Sequence, residues 1–177
     1  MQLNLFKASG SNLFNLIAFN LMWVGCVVGR EQWLDVVAVA VLAYVTLLLA
    51  RREVRPAQLL IPALIGICID SVLTLAGIFE FSSGSRLLPL WLVVLWLAFA
   101  SALAKSLAVF GKNKLLAAGL GAIVFPLNYA VGERLGAVTF AHGQLNALIS
   151  LSIIWAFCLP LLYTISEGKL ERKNVPT

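Results

Sequence analysis

Ala57 to Phe79 reads AQLLIPALIGICIDSVLTLAGIF, a run of membrane-spanning length with one charged side chain, Asp70, near its centre. An apolar stretch this long matches the roughly 20 residues a helix needs to cross hydrocarbon, and a core strand or soluble helix has no use for it. The same signal recurs outward in both directions. Spans are expected at Asn12 to Gly29, Trp33 to Ala50, Ala57 to Phe79, Leu87 to Phe110, Leu115 to Gly132 and Leu145 to Ser166. The expected fold is a single-domain, all-α integral membrane bundle of six transmembrane helices.

The composition of the 177 residues agrees: 61% are hydrophobic and 12% charged, against about 25% charged in soluble domains. A soluble enzyme and a disordered chain are both excluded. The longest connection, Glu133 to Gln144, is too short to bury a core of its own, so function must reside in the bilayer or at its faces. The Asn12 to Gly29 segment reads as a retained helix and not a cleaved leader, because it has no Ala-x-Ala site and Asn12, Asn15 and Asn20 interrupt it.

Basic residues orient the bundle. With the N-terminus inside, the cytoplasmic side carries nine: Lys7, Arg51, Arg52, Arg55, Lys112, Lys114, Lys169, Arg172 and Lys173. The opposite side carries three, Arg30, Arg86 and Arg134, and Lys105 sits within helix four near its cytoplasmic end, snorkelling to the headgroups. Both termini are therefore expected inside. The net charge of +5 reflects topology and contact with anionic lipid, and no nucleic-acid partner is expected.

Asp70 is the most informative residue, since a carboxylate at mid-bilayer costs about 2.5 to 3.5 kcal/mol even on lenient insertion scales. It is read either as a cation- or substrate-linked group in a cavity or as a tie between helices through Ser71 and Thr74. By depth, the side chains that match it are Asn20, Asn128 and Tyr129, with Glu133, Arg134, Arg30 and Asp35 toward the outer rim. The candidate ligand-binding set is Asn20, Asp70, Ser71, Asn128, Tyr129, Glu133 and Arg134, opening outward. Trp33 and Trp91 suit the outer aromatic belt, and Trp23, Trp96 and Trp155 suit packing. Gly119 and Gly121 mark a close-packing face of helix five. Cys26, Cys68 and Cys158 read as buried thiols. His142 stands alone in a loop, so no metal site and no cofactor is expected, and no catalytic motif is present.

Leu59 to Gly77 and Leu115 to Gly132 share a Leu-Leu start, an early Gly and a closing Gly, and each precedes a helix carrying a Trp (Trp96, Trp155). Helices three-four and five-six thus read as related hairpins of the same orientation.

Four segments carry a family resemblance: Asn15-x-x-x-x-Asn20-x-x-Trp23; Asp70-Ser71 followed by Gly77; Pro89-Leu90-Trp91 leading to Leu95-Trp96-Leu97-Ala98-Phe99-Ala100; and Pro126-Leu127-Asn128-Tyr129-x-x-Gly132-Glu133-Arg134-Leu135-Gly136-Ala137. Together they resemble a bacterial inner-membrane family, domain-of-unknown-function family 2878. Where the family has an Asn-His-Ser-Leu-like step, this chain has Ala104-Lys105-Ser106-Leu107. The resemblance implies a small inner-membrane protein associated with lipid-modifying enzymes of the cyclopropane-fatty-acid-synthase type, and it assigns no catalytic residue. Three functional classes follow: a membrane-embedded binding or transport-type protein accessory to lipid modification, an intramembrane enzyme acting on lipid, or an assembly subunit. The expected partners are membrane lipids, with a homodimer or a membrane partner protein if six spans are to carry out transport.

Overall fold

A computed structural model describes residues 2–81 and 87–166, with side chains from Ser11 onward. The described chain is helical: α1 (Gln2–Gly29), α2 (Leu34–Ala50), α3 (Pro56–Leu75), α4 (Leu90–Ala104), α5 (Lys114–Arg134) and α6 (Gln144–Ser166). A short 3-10 turn (Ala108–Lys112) follows α4, and two-residue strands β1 (Phe79–Glu80) and β2 (Thr139–Phe140) pair antiparallel. Four helices are long and apolar enough to cross a membrane: α3, α5, α6 and the Ser11–Gly29 part of α1. The 17-residue α2 and 15-residue α4 are shorter, about 25 and 22 Å at 1.5 Å per residue.

Burial is distributed as a bilayer would require. Large apolar side chains such as Leu21, Val36, Val39, Val72, Ile123, Ile153 and Phe157 are exposed along the flanks of the helices. On a soluble protein such a belt would be an aggregation surface; on a membrane protein it is the surface suited to hydrocarbon. Among the described residues, every Asp, Glu, Lys and Arg lies at a helix end or in a connection, except Asp70. Lys7, Arg86, Lys169, Arg172 and Lys173 of the orientation argument lie outside the described side chains.

Helix four ends sooner than its apolar composition suggests. The run Ser106 to Phe110 continues the hydrophobicity of α4, but Lys105 adopts φ −121° and ψ −86°, which stops the helix. Lys105 is therefore a helix cap and not a residue inside the span. Its ammonium pairs with Glu53 of the α2–α3 connection and donates to Ser11 Oγ at 2.9 Å. The Lys105 pairing holds the Glu53 carboxyl below the usual carboxylate range. Beside it, Asn15 is fully buried: its Nδ2 donates to Tyr44 Oη at 2.8 Å and its Oδ1 accepts from the Ser106 backbone N–H at 3.2 Å.

The most buried helix is α4, with α1, α2 and α3 packed around it, while α5 packs on α6. Close approach needs glycine at two points. A Cβ on Gly66 of α3 would lie 2.2 to 2.4 Å from the Trp96 ring, and one on Gly121 of α5 would lie 2.1 Å from the Trp155 carbonyl oxygen. Gly119 faces open space instead, so of the two glycines only Gly121 lies on the close-packing face of α5. Two further expectations are corrected. Cys68 is exposed on the outer face of α3, while Cys26 is buried. Trp91 is buried against Phe81 and does not sit in an interfacial belt, whereas Trp33 is exposed.

The two hairpins, α3–β1–α4 and α5–β2–α6, are related, in a different alignment from the one expected. Asp70 and Tyr129, which hydrogen-bond to each other, stand 59 residues apart. The same spacing separates Gly77 from Gly136, Glu80 from Thr139 and Trp96 from Trp155. Gly77 and Gly136 are both left-handed (φ 71° and 72°) and close α3 and α5 with the same C-terminal motif. Ile78 N–H donates to Leu73 O at 2.9 Å and Ala137 N–H to Gly132 O at 2.8 Å. Glu80 and Thr139 are direct strand partners, and the Trp96 and Trp155 rings stack with centroids 5.3 Å apart. Equivalent residues that meet one another are the mark of a two-fold axis. The glycine equivalent to Gly77 is thus Gly136 and not Gly132.

Candidate functional site

The two-fold relation is broken on one side, and the break is a cavity. α3 packs closely on α6, but the equivalent pair, α5 and α4, is splayed. A cleft of about 320 Å³ fills the opening, with α1 forming its other wall. Its lining follows helical periodicity. α4 contributes Trp91, Leu92, Leu95, Trp96 and Phe99; α1 contributes Leu16, Phe19, Asn20, Trp23 and Val27; α5 contributes Val124, Phe125, Asn128, Tyr129 and Gly132. Phe81, Ala137 and Val138 close one end and Leu107 the other. Leu16, Asn20, Val124 and Asn128 are themselves exposed, so the mouth opens sideways between α1 and α5 as well as inward.

An aromatic stack backs the cleft. Phe125 lies on Trp155 with centroids 3.9 Å apart, Trp155 on Trp96, and Phe99 meets both Trp96 (5.6 Å) and Phe125 (5.4 Å) nearly edge-on. Such contacts are individually worth about 0.5 to 1.5 kcal/mol beyond area burial, and together they fix the shape of the wall.

Asp70 does not reach the cleft. It is fully buried one layer behind it and holds two of its lining residues: Trp96 Nε1 donates to Oδ2 at 2.7 Å, and Tyr129 Oη donates to Oδ1 at 2.5 Å. One carboxyl thus joins α3, α4 and α5. Thr74, expected to share this role, spends its hydroxyl on the Asp70 backbone carbonyl at 2.7 Å, within its own helix.

Of the other candidates, Asn20, Asn128 and Tyr129 line the cleft together. Ser71 is half-buried on α3 outside the lining. Glu133 lies beyond the end of the cleft, where Oε1 accepts from the Phe140 N–H at 3.4 Å, and Arg134 is exposed in the last turn of α5. Arg30 crosses the same rim, donating from Nη1 to the Gly136 carbonyl at 2.5 Å. Asp35 is exposed in the first turn of α2 and His142 is exposed in its loop.

What the residue-by-residue reading missed is the aromatic lining. Packing alone does not describe Trp96, because an indole N–H within a span gains from an acceptor and Asp70 lies at matching depth. The Trp91, Trp96 and Phe99 spacing on α4 carried the rest of the signal.

No curated protein and no solved structure matches the chain. A family model described as a protein of unknown function (DUF2878) matches residues 12–161, a stretch that contains every residue lining the cleft. With most of its length and its whole cleft inside that match, the chain belongs to the DUF2878 family.

Proposed function

We propose that this is a multi-pass protein of a bacterial inner membrane, six spans with both termini cytoplasmic, that binds a lipid-like ligand in the cleft between α1 and α5. The observation carrying this reading is an aromatic-walled cavity at mid-helix depth whose mouth opens between two helices bearing lipid-facing residues. Its volume falls at the lower end of the range for ligand pockets, about 300 to 1,000 Å³, and suits one chain-like or compact molecule. A lateral mouth lets a ligand enter from the bilayer without crossing water.

Charge supports the orientation. Among the described residues, the end of the bundle holding Ser11, Glu53 and Lys105 carries Arg51, Arg52, Arg55, Lys105, Lys112 and Lys114 against the carboxylate of Glu53. The end holding the strands carries Arg30 and Arg134 against Glu31, Asp35, Glu80 and Glu133. The first composition is that of a cytoplasmic face. α2 and α4 then cross with the help of their flanking segments and a locally thinned bilayer.

Binding or transport, as an accessory to lipid modification, accords with this site better than catalysis, because Asp70 is enclosed behind the lining and committed to two donors. Moving a ligand between leaflets would call for a homodimer or a membrane partner protein. The test is quenching of the intrinsic tryptophan fluorescence by brominated lipid in detergent micelles, for the native chain and for Gly132→Leu. A Cβ at Gly132 meets Val138 only at 3.8 Å, so the larger side chain enters the cleft without backbone conflict. Saturable quenching that Gly132→Leu removes is the expected result; identical quenching in both proteins overturns the reading. C-terminal fusions to green fluorescent protein and to alkaline phosphatase test the orientation, and only the former is expected to be active.

A further inference from the structure

Resting on the cleft as the binding site, the polar groups that remain available inside it select the ligand's chemical class. Asn20 and Asn128 stand on opposite walls, on α1 and α5, and each spends its amide nitrogen on its own helix. Asn20 Nδ2 donates to Leu16 O at 2.8 Å, and Asn128 Nδ2 donates to Val124 O at 2.9 Å. Their Oδ1 atoms are left as acceptors, and no described residue donates to either. The donors of Trp96 and Tyr129 are committed to Asp70. No described residue accepts from the indole N–H of Trp23 or Trp91, both of which line the same space.

Among the described residues, none that lines the cleft is charged. Lys105 is paired with Glu53 beyond the Leu107 end, and Arg30 is bonded to the Gly136 carbonyl at the opposite rim. A phosphate head seated among these residues would be stripped of water and given no cation, which is costly. A hydroxyl, by contrast, donates to an amide oxygen and accepts from an indole N–H in one position. An ester, ether or ketone oxygen can do only the second.

We infer that the cleft takes an uncharged, alcohol-headed lipid, its hydroxyl donating to Asn20 Oδ1 or to Asn128 Oδ1 and its chain against the Trp96, Phe99 and Phe125 wall. The class includes diacylglycerols and polyisoprenoid alcohols. Discrimination comes from the unpaired acceptors, since a ligand without a donor leaves both of them unsatisfied beside it.

The experiment compares three ligands with identical acyl chains, a diacylglycerol, its O-methyl ether and the corresponding phosphatidate, titrated by tryptophan fluorescence against the purified full chain in neutral-detergent micelles. The alcohol is expected to bind at least tenfold more tightly than the ether, with phosphatidate weaker than the alcohol. In Asn20→Leu/Asn128→Leu, which keeps the branch at Cγ and removes the acceptors, alcohol and ether should bind within about twofold of each other. Equal binding of alcohol and ether by the native chain, tightest binding of phosphatidate, or discrimination surviving in the double variant each overturns the inference while leaving the cleft as a lipid site. Absence of saturable binding by all three overturns the inference and the cleft reading together.

Discussion

Replacing Asp70 by alanine should destabilise the bundle through the groups left behind. The Trp96 N–H and the Tyr129 hydroxyl both lose their acceptor, in a layer where Asp70 itself has no exposure. A buried donor left unsatisfied costs about 1 to 3 kcal/mol, so the two together set a ceiling of about 6. Intramembrane hydrogen bonds measured by double-mutant cycles average only about 0.6 kcal/mol, because the unfolded chain in lipid finds other partners, which sets a floor of about 1.2 for two bonds. Removal of the acidic group also relieves its own insertion cost, so the expected net loss is on the order of 2 kcal/mol. Asp70→Asn should be nearly neutral. Its Oδ1 can accept from Trp96 while its Nδ2 donates to the Tyr129 oxygen, which is free to reverse its role. Asp70→Leu/Trp96→Phe/Tyr129→Phe removes donors and acceptor together and should recover at least the loss seen in Asp70→Ala. Equilibrium unfolding in mixed micelles, followed by near-ultraviolet circular dichroism, measures all three. The reasoning fails if Asp70→Ala unfolds with the native protein, or if the triple variant is no more stable than Asp70→Ala.

Gly121→Ala should separate α5 from α6, because its Cβ meets backbone 2.1 Å away; a loss of about 1 to 3 kcal/mol is expected in the same unfolding assay. Gly119→Ala, facing open space two residues earlier, should be neutral or stabilising by up to about 1 kcal/mol. Gly66→Ala drives a Cβ into the Trp96 ring, so a shifted tryptophan emission maximum is expected together with weakened ligand quenching. The Glu53 carboxyl is held below its usual range by Lys105, so its contribution to stability is present above the ordinary carboxylate value and disappears as pH falls through the lowered one. A pH titration of stability should therefore decline at acidic pH in the native protein and flatten in Glu53→Gln.

Depth was readable from residue order, but adjacency between helices was not. Asp70 stood out because hydrocarbon penalises a carboxylate wherever its neighbours are, and Tyr129 and Asn128 could be matched to it because α3 and α5 run in the same direction. Trp96 reads only as a packing residue, since its helix is antiparallel to both and an aromatic residue in a span is unremarkable until its N–H is given a partner. The end of α4 was illegible for another reason: apolar composition continues to Phe110, and the contacts that meet the chain after Ala104, Lys105 with Glu53 and the Ser106 N–H with Asn15, are tertiary. Glu133 and Arg134 follow Gly132 at one end of the bundle, and Gly132 already marks the limit of the cleft. Trp91 shows the limit of the aromatic-belt rule, since it is buried with Phe81 edge-on against it.

The axis relating the two hairpins has a consequence for what a single hairpin could be. Were α3–β1–α4 to associate with an identical copy about the same axis, each axial residue would confront its twin: Asp70 would meet Asp70, and Glu80 would meet Glu80. Four carboxyl groups would be brought together in two repelling pairs, one of them out of reach of water. Joining the copies in one chain releases each axial position to differ from its counterpart, and here the counterparts are Tyr129 and Thr139, which pair with Asp70 and Glu80. Covalent linkage also allows one of the two equivalent helix interfaces to close while the other stays open. A symmetric pair of hairpins would have to form two clefts or none.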